Sequence, residues 1–365
     1  MKIGILTLPL TTNYGSILQA YALQTALKRM GHNPWLIDIR GKKIPSLKLP
    51  LVIIKRTVLK YLLPYYASRH QEQGDIMVCH ARSFIMKYME PKTFPVYLTK
   101  GLKKLKRYNF DAYIVGSDQV WRPKYVNNIE DFFLGFLNAK DKAKRIAYAA
   151  SFGKNEWEFT PEQTASCGAL LKKFQAVSVR EESGVQLCEE HFGIDAVHLA
   201  DPTILLDTAD YMKLADGVKK NAGNLAAYLL DKTDEKMQLV DKIADKFACI
   251  PFGTSTKTEN GYVPLEVENW VKGILDAKFV VTDSFHACIF SILFNKPFIA
   301  YGNESRGMAR FDSLLKVFGL RDRLIISTAG FNDEVLDDPI NWDRVNEILE
   351  EKRKISHKFL ESSLS

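Results

Sequence analysis

No two of the five cysteines (Cys79, Cys167, Cys188, Cys249 and Cys288) stand in a Cys-x-x-Cys spacing, and their number is odd. That pattern argues against a disulfide framework and a cysteine zinc site, and leads us to expect reduced, mostly buried thiols in a cytosolic protein. His-Glu-x-x-His is absent and no carboxylates gather at ligand spacing, so no metal is expected. Gly-x-Ser-x-Gly and the P-loop pattern are missing too, which removes two common hydrolase and phosphoryl-transfer readings. No window is long and apolar enough to span a bilayer. The opening MKIGILTLPLTTNYGS does not read as a signal peptide, because its apolar run breaks at Pro9 and a glycine-containing turn follows. There is no long Lys/Arg run interleaved with aromatics, so nucleic acid is not an expected partner.

What remains is ordinary globular material. A chain of 365 residues, 46% hydrophobic and 25% charged, can build two domains with proper cores. The net charge of +7 is mildly basic and suits phosphorylated small molecules or an anionic membrane surface.

Residues 2–8 read as a strand, 11–16 as a polar turn, 17–30 as an amphipathic helix closed by Gly31, and 32–39 as a second strand. This is the opening of a Rossmann-like domain, although the turn is not Gly-x-Gly-x-x-Gly and a dinucleotide is not implied. In the turn N-Y-G-S, Asn13, Tyr14, Gly15 and Ser16 either cap the helix or also hold an anion or sugar hydroxyls. Residues 42–66 mix Lys and Arg with Leu, Val, Ile and Tyr, and carry three prolines. They form either a basic amphipathic insertion lying on an anionic membrane or an insertion packed on its own domain. Helices are expected over 70–90 and 98–108. Strands at 110–115, 145–150 and 176–179 each end in a polar turn with small residues. Parallel strands with helical crossovers place such turns on one edge, so Ser117, Asp118, Gln119, Ser151, Arg180 and Ser183 are expected to line a common cleft. In that turn Trp121 either stacks on a sugar ring or fills the core.

Asp201-Pro202 closes a first half, 1–202. A second strand–helix series occupies 203–340, and a terminal helix of mixed charge follows over 341–365. Within the second series, residues 278–298 (KFVVTDSFHACIFSILFNKPF) read as a buried strand, a polar turn, an apolar helix and a proline-started strand. Ser284 or Asp283 caps the helix and puts His286 in its first turn, where backbone N–H groups and the helix dipole face an anion. A core histidine bonded to a carbonyl is the alternative. The loop ESRGMAR then brings Arg306 and Arg310. Two α/β halves of this kind predict two Rossmann-like domains facing a central cleft, with the active site between them.

Five motifs in this order, N-Y-G-S-I-L-Q-A-Y-A-L-Q-T-A-L, G-S-D-Q-V-W at 116–121, S-V-R-E-E-S-G at 178–184, A-D-P-T at 200–203 and T-D-S-F-H-A-C-I-F-S-I-L-F-N-K-P-F at 282–298, resemble the polysaccharide pyruvyl transferase family, in its D-S-F-H-A subgroup. The resemblance implies a glycosyltransferase-B-like fold and transfer of a pyruvyl group from phosphoenolpyruvate onto a sugar as a ketal. The implied acceptor is a bacterial surface glycan or its lipid-linked precursor, and the implied place is the cytoplasm, at the inner face of the plasma membrane. By the same resemblance His286 is the acid and Arg180 an anion ligand. Many members carry Arg where this chain has Ser284, so Arg306 and Arg310 are candidates to replace it.

The chemistry suits these residue types. Phosphoenolpyruvate carries a phosphate and a carboxylate, and the planar fork of Arg binds either one bidentately. Protonation of its C3 calls for an acid titrating near working pH, which favours histidine. Asp118 and Asp283 are candidates to orient or deprotonate the acceptor hydroxyl, plain helix caps being the alternative for both. The donor is a substrate, and no cofactor is expected. A sugar-nucleotide glycosyltransferase of the same architecture and a non-catalytic relative are the competing readings.

Overall fold

The computed structural model describes residues 1–40, 67–97, 99–138, 140–253, 255–258, 261–302, 307–329 and 331–365. The 42–66 insertion and Arg306 therefore lie outside the described residues. The strands are β1 (Lys2–Leu6), β2 (Asn33–Leu36), β3 (Ala112–Val115), β4 (Lys144–Ala150), β5 (Ala176–Val179), β6 (Val197–His198), β7 (Leu225–Tyr228), β8 (Pro251–Phe252), β9 (Ser255–Thr258), β10 (Gly261–Pro264), β11 (Phe279–Thr282), β12 (Phe298–Tyr301) and β13 (Leu324–Ile325). The helices used below are α1 (Tyr14–Arg29), α2 (Ala67–Tyr88), α3 (Pro161–Leu171), α4 (Glu182–Phe192), α5 (Asp234–Phe247), α6 (Val267–Asp276), α7 (Phe285–Leu293), α8 (Met308–Phe318) and α9 (Trp342–Leu364).

The first sheet runs β2-β1-β3-β4-β5-β6 and the second β13-β12-β11-β7-β8, with parallel pairing throughout both. In the first sheet the strand order reverses between β1 and β3. Such a switch point leaves a crevice at the carboxyl ends of the strands, and the turns after β1 and β3 both open into it. Strands buried on both faces should read as continuous apolar runs, and AYIV in β3 and FVVT in β11 do so.

Helix α1 begins at Tyr14, earlier than the apolar periodicity suggests. Asn13 Oδ1 accepts from the amides of Gly15 at 3.0 Å and Ser16 at 3.3 Å, so the cap draws these residues into the first turn. Over 98–108, where one helix is expected, a single turn (Thr99–Leu102) passes into a 3-10 segment (Lys103–Tyr108) that ends at Asn109 in the left-handed region. Lys100, Lys103, Lys104, Lys106 and Arg107 repel one another at helical spacings there.

The two sheets share a core. Tyr14, Ile17 and Leu18 of α1 belong to the same apolar cluster as Trp270 of α6 and Phe285 and Phe290 of α7. Tyr14 Oη donates to the Leu265 carbonyl at 2.6 Å, and its ring stacks on Trp270 with centroids 5.7 Å apart. The terminal helix α9 returns to the first sheet, where Leu360 and Leu364 join Ile3, Ile5, Leu23 and Leu27. On the way Arg353 donates to the carbonyls of Ile204 and Leu206, which lie between the two sheets in sequence. Four cysteines are buried and Cys79 is exposed. Among the described residues no helix is long and apolar enough to cross a membrane.

Candidate active site

The carboxyl ends of β1, β3, β4 and β5 meet the N-terminal turns of α7 and α8, and a charged cluster is buried at that seam. Arg180 follows β5 and is its hub. Its Nη1 donates to Asp201 Oδ2 at 2.8 Å, its Nη2 lies 3.9 Å from Asp118 Oδ1, and its Nε lies 3.9 Å from Glu181 Oε1. The guanidinium stands over the ring of Phe285, 4.6 Å from its centroid. Arg310 of α8 stands over the same ring at 5.3 Å, so a cation from each domain shares one aromatic. Burial disfavours the Arg180 charge, but Asp201, Glu181 and Asp118 outweigh it and its pKa is raised. Burial and then Arg180 lower the pKa of Arg310 to about 10.

Asp201 holds the hub in place. Its Oδ1 accepts from Thr203 N at 3.0 Å and Thr203 Oγ1 at 2.9 Å, which frees Oδ2 for Arg180. Ser117 Oγ lies 3.1 Å from both Asp201 Oδ2 and the Ala149 carbonyl, its single proton serving one of them. His286 Nε2 stands 3.5 Å from Asp201 Oδ2, bringing the second domain onto the same carboxylate. Burial pushes Asp201 up, but His286, Arg180 and Thr203 together hold it well below the usual carboxylate range.

Asp118 sits in the left-handed region at φ 66 and accepts from Ser16 Oγ, joining the turns after β1 and β3. Its other oxygen accepts from Gln119 N at 2.8 Å. Burial raises its pKa, while Arg180, His286 and Ser16 pull harder the other way, and the net shift is downward. Glycine is required beside this cluster at two positions. A Cβ on Gly15 would lie 2.0 Å from His286 Nδ1, and one on Gly116 would lie 2.1 Å from the Tyr148 carbonyl oxygen.

Several expected site residues have other employment. Asp283 accepts from Leu230 N at 2.6 Å, Asp231 N at 3.1 Å and Lys236 Nζ at 2.7 Å. It ties the loop after β7 to the start of α7 and is placed as a structural carboxylate rather than as a base. Lys236 is buried with it, so Lys236→Met should strand a buried anion and cost about 3–5 kcal/mol in urea unfolding. A loss below ~1 kcal/mol would mean water reaches Asp283. Ser284 is the N-cap of α7, its hydroxyl accepting from Ala287 N at 3.5 Å. Trp121 is fully buried, stacked on Phe133 at 4.9 Å and donating from Nε1 to the Phe132 carbonyl, so it is core and not a sugar platform. Asn13 caps α1, and Tyr14 is spent on the contact between domains. Gln119 accepts from Arg122 Nη1 at 3.1 Å.

The structure thus brings together Ser16, Ser117, Asp118, Arg180, His286 and Arg310. It adds Asp201, Glu181 and Ser151, whose hydroxyl donates to Glu181 Oε1. Behind Arg180, His198 Nε2 lies 3.1 Å from the Arg180 carbonyl and 3.2 Å from Ser313 Oγ of α8. Among the described residues no three His, Cys, Asp or Glu side chains are grouped as metal ligands.

Over nearly its whole length the chain is similar in fold to UDP-GlcNAc 2-epimerase from Neisseria meningitidis bound to UDP-GlcNAc, at 10% identity and a TM-score of 0.55, covering 100% of this chain and 99% of that one. It is likewise similar to the S. aureus MnaA–UDP co-structure, at 11% identity and a TM-score of 0.52, covering 96% and 87%. At such identities the likeness shows the fold alone, two α/β domains in the glycosyltransferase-B-like arrangement. No curated protein matches the chain. The model of the polysaccharide pyruvyl transferase family matches residues 13–305, a span that holds the cap of α1, the turns after β3 and β5, Asp201 and the start of α7, and the chain belongs to that family.

Proposed function

We propose that the protein moves the pyruvyl group of phosphoenolpyruvate onto two hydroxyls of a sugar, as a cyclic ketal, and releases phosphate. The acceptor is a surface glycan or its lipid-linked precursor. One observation carries this reading. Asp201 fixes Arg180 through Nη1, while Nε and Nη2, which share one edge of the guanidinium, are buried without a hydrogen-bond partner among the described residues. Leaving two buried donors unmade is expensive unless an anion completes them, and this edge is the one that takes a carboxylate or phosphate bidentately. Arg310 supplies a second cation from the other domain and takes the place of the arginine that Ser284 lacks.

His286 then protonates C3 of the donor, and the acceptor sugar lies on the side of Ser16 and Asp118. His286, Arg180, Asp118 and Arg310 are each at most 7% exposed. Substrates therefore enter when the two domains part and are held when they close, as in other two-domain clefts. The neighbours of like fold bound to UDP-GlcNAc and UDP make a sugar nucleotide the rival donor.

The test is phosphate release from phosphoenolpyruvate with galactose-, glucose- and mannose-containing acceptors, each product being weighed for an added pyruvyl ketal. Acceptor-dependent release with that mass gain is expected, together with a rise in melting temperature on adding phosphoenolpyruvate. Silence across the panel, with stabilisation by a UDP-sugar instead, would sink the assignment.

A further inference from the structure

We infer that Glu181 is the base that takes the proton from the attacking sugar hydroxyl, an assignment that rests on the pyruvyl-transfer reading above. The other carboxylates of the seam are spoken for. Asp201 uses one oxygen on Thr203 and the other on Arg180, Asp118 is held by Ser16 and Gln119, and Asp283 is locked by Lys236 and two amides. Glu181 is different. It is 1% exposed, its Oε1 accepts from Ser151, and its Oε2 is buried with no hydrogen-bond partner among the described residues. It also lies beside the Nε edge of Arg180 to which the donor is assigned. A nucleophile approaching C2 of a donor held on that edge meets Glu181 from the first domain, while His286 reaches from the second.

The surroundings suit a base. Burial dominates and raises the Glu181 pKa, whereas Asp118 and Asp201 are held low and are correspondingly weak proton acceptors. The groups facing it are Arg180 after β5, Arg310 of α8, the Ser151 hydroxyl after β4 and, in helix α4 that follows it, Cys188, whose thiol burial pushes up to about 12.

The proton account closes. The hydroxyl oxygen bonds to C2 as its proton passes to Glu181, and the vinyl π pair becomes the C3–H bond with a proton from His286. The C2–O bond to phosphate then breaks, the phosphate leaving with the bonding pair. The second hydroxyl adds to C2, and its proton leaves with the phosphate. Glu181 releases its proton to solvent and His286 takes one up, which restores the starting state.

Glu181→Gln keeps an oxygen for Ser151 and removes the base. It should keep the thermal shift with phosphoenolpyruvate and lose acceptor-dependent phosphate release by about 10²–10⁴-fold. A base works ionised, so wild-type kcat/KM should rise with pH through the Glu181 pKa, and that acid limb should be missing from the residual activity. Ser151→Ala removes a bond that favours the carboxylate, so its acid limb should move to higher pH. Three results overturn the assignment: Glu181→Gln within about threefold of wild type, loss of the donor's thermal shift along with turnover, or an acid limb that Ser151→Ala leaves in place. A wild-type protein with neither thermal shift nor phosphate release would take the pyruvyl-transfer reading down as well. An active wild type beside an active Glu181→Gln would remove Glu181 alone.

Discussion

Arg180→Lys is expected to fold and to lose phosphoenolpyruvate turnover by about 10²–10³-fold in kcat/KM, the loss that follows removal of one preorganised donor from a charge-stabilising site. The reason is geometric. A lysine at 180 keeps a cation for Asp201 but cannot offer a second edge, and the slot formed by Nε and Nη2 is gone. The donor's KM should therefore rise along with the fall in kcat. Arg180→Ala goes further, because Asp118, Asp201 and Glu181 then face one another without their central cation. Breaking a buried arrangement by removing one partner costs about 3–5 kcal/mol.

That cost carries a pH signature. Asp118 and Asp201 have folded pKa values below their unfolded ones, so their stabilisation is fully present above the ordinary carboxylate value of about 3.9. It is lost as pH falls through the folded values. The stability gap between wild type and Arg180→Ala, measured by urea unfolding, should be widest near neutral pH and should narrow on acidification below about pH 4. A gap that stays constant into acid would mean that Arg180 contributes through packing on Phe285 rather than through its carboxylates.

How much of this could be read from the chain depends on the range of the interactions. The start of α7 was legible because its signals are local: a buried strand, a polar turn and an apolar run lie within a few residues, and of the two expected caps, Ser284 and Asp283, the structure uses Ser284. The convergence of the turns after β3, β4 and β5 followed from the parallel topology alone. Asp201 was legible only as a link, since its meaning depends on Arg180, 21 positions away, and on His286 from the other domain. Asp283 reads from the sequence either as a catalytic carboxylate beside His286 or as a helix cap. Nothing local indicates that Lys236, 47 residues earlier, returns to neutralise it. Trp121 shows the same limit, because a tryptophan after a polar turn is sugar platform or core according to what covers it, and Phe133 covers it. The glycine of N-Y-G-S was visible as a turn residue, but its reason is the imidazole of a residue in the other domain.

That contact leads to the second large effect. His286→Ala should fold, because Asp201 retains Arg180, Ser117 and Thr203 when the imidazole is removed. Donor binding should survive for the same reason, since the open edge of Arg180 points away from the atom that Asp201 holds. Turnover should nevertheless fall by about 10²–10⁴-fold, the usual worth of a positioned proton donor. The decisive pair of measurements is the thermal shift with phosphoenolpyruvate and kcat for ketal formation. Retained shift with lost kcat identifies His286 as the acid; retained kcat moves the acid elsewhere in the cluster. Gly15→Ala provides an independent approach, because the added methyl must displace the ring on its Nδ1 side. If the position of the imidazole matters and not only its presence, this variant should reproduce most of the loss in kcat with His286 still in the chain. A Gly15→Ala protein as active as wild type would place His286 outside the reacting geometry, held at the seam only to pair with Asp201.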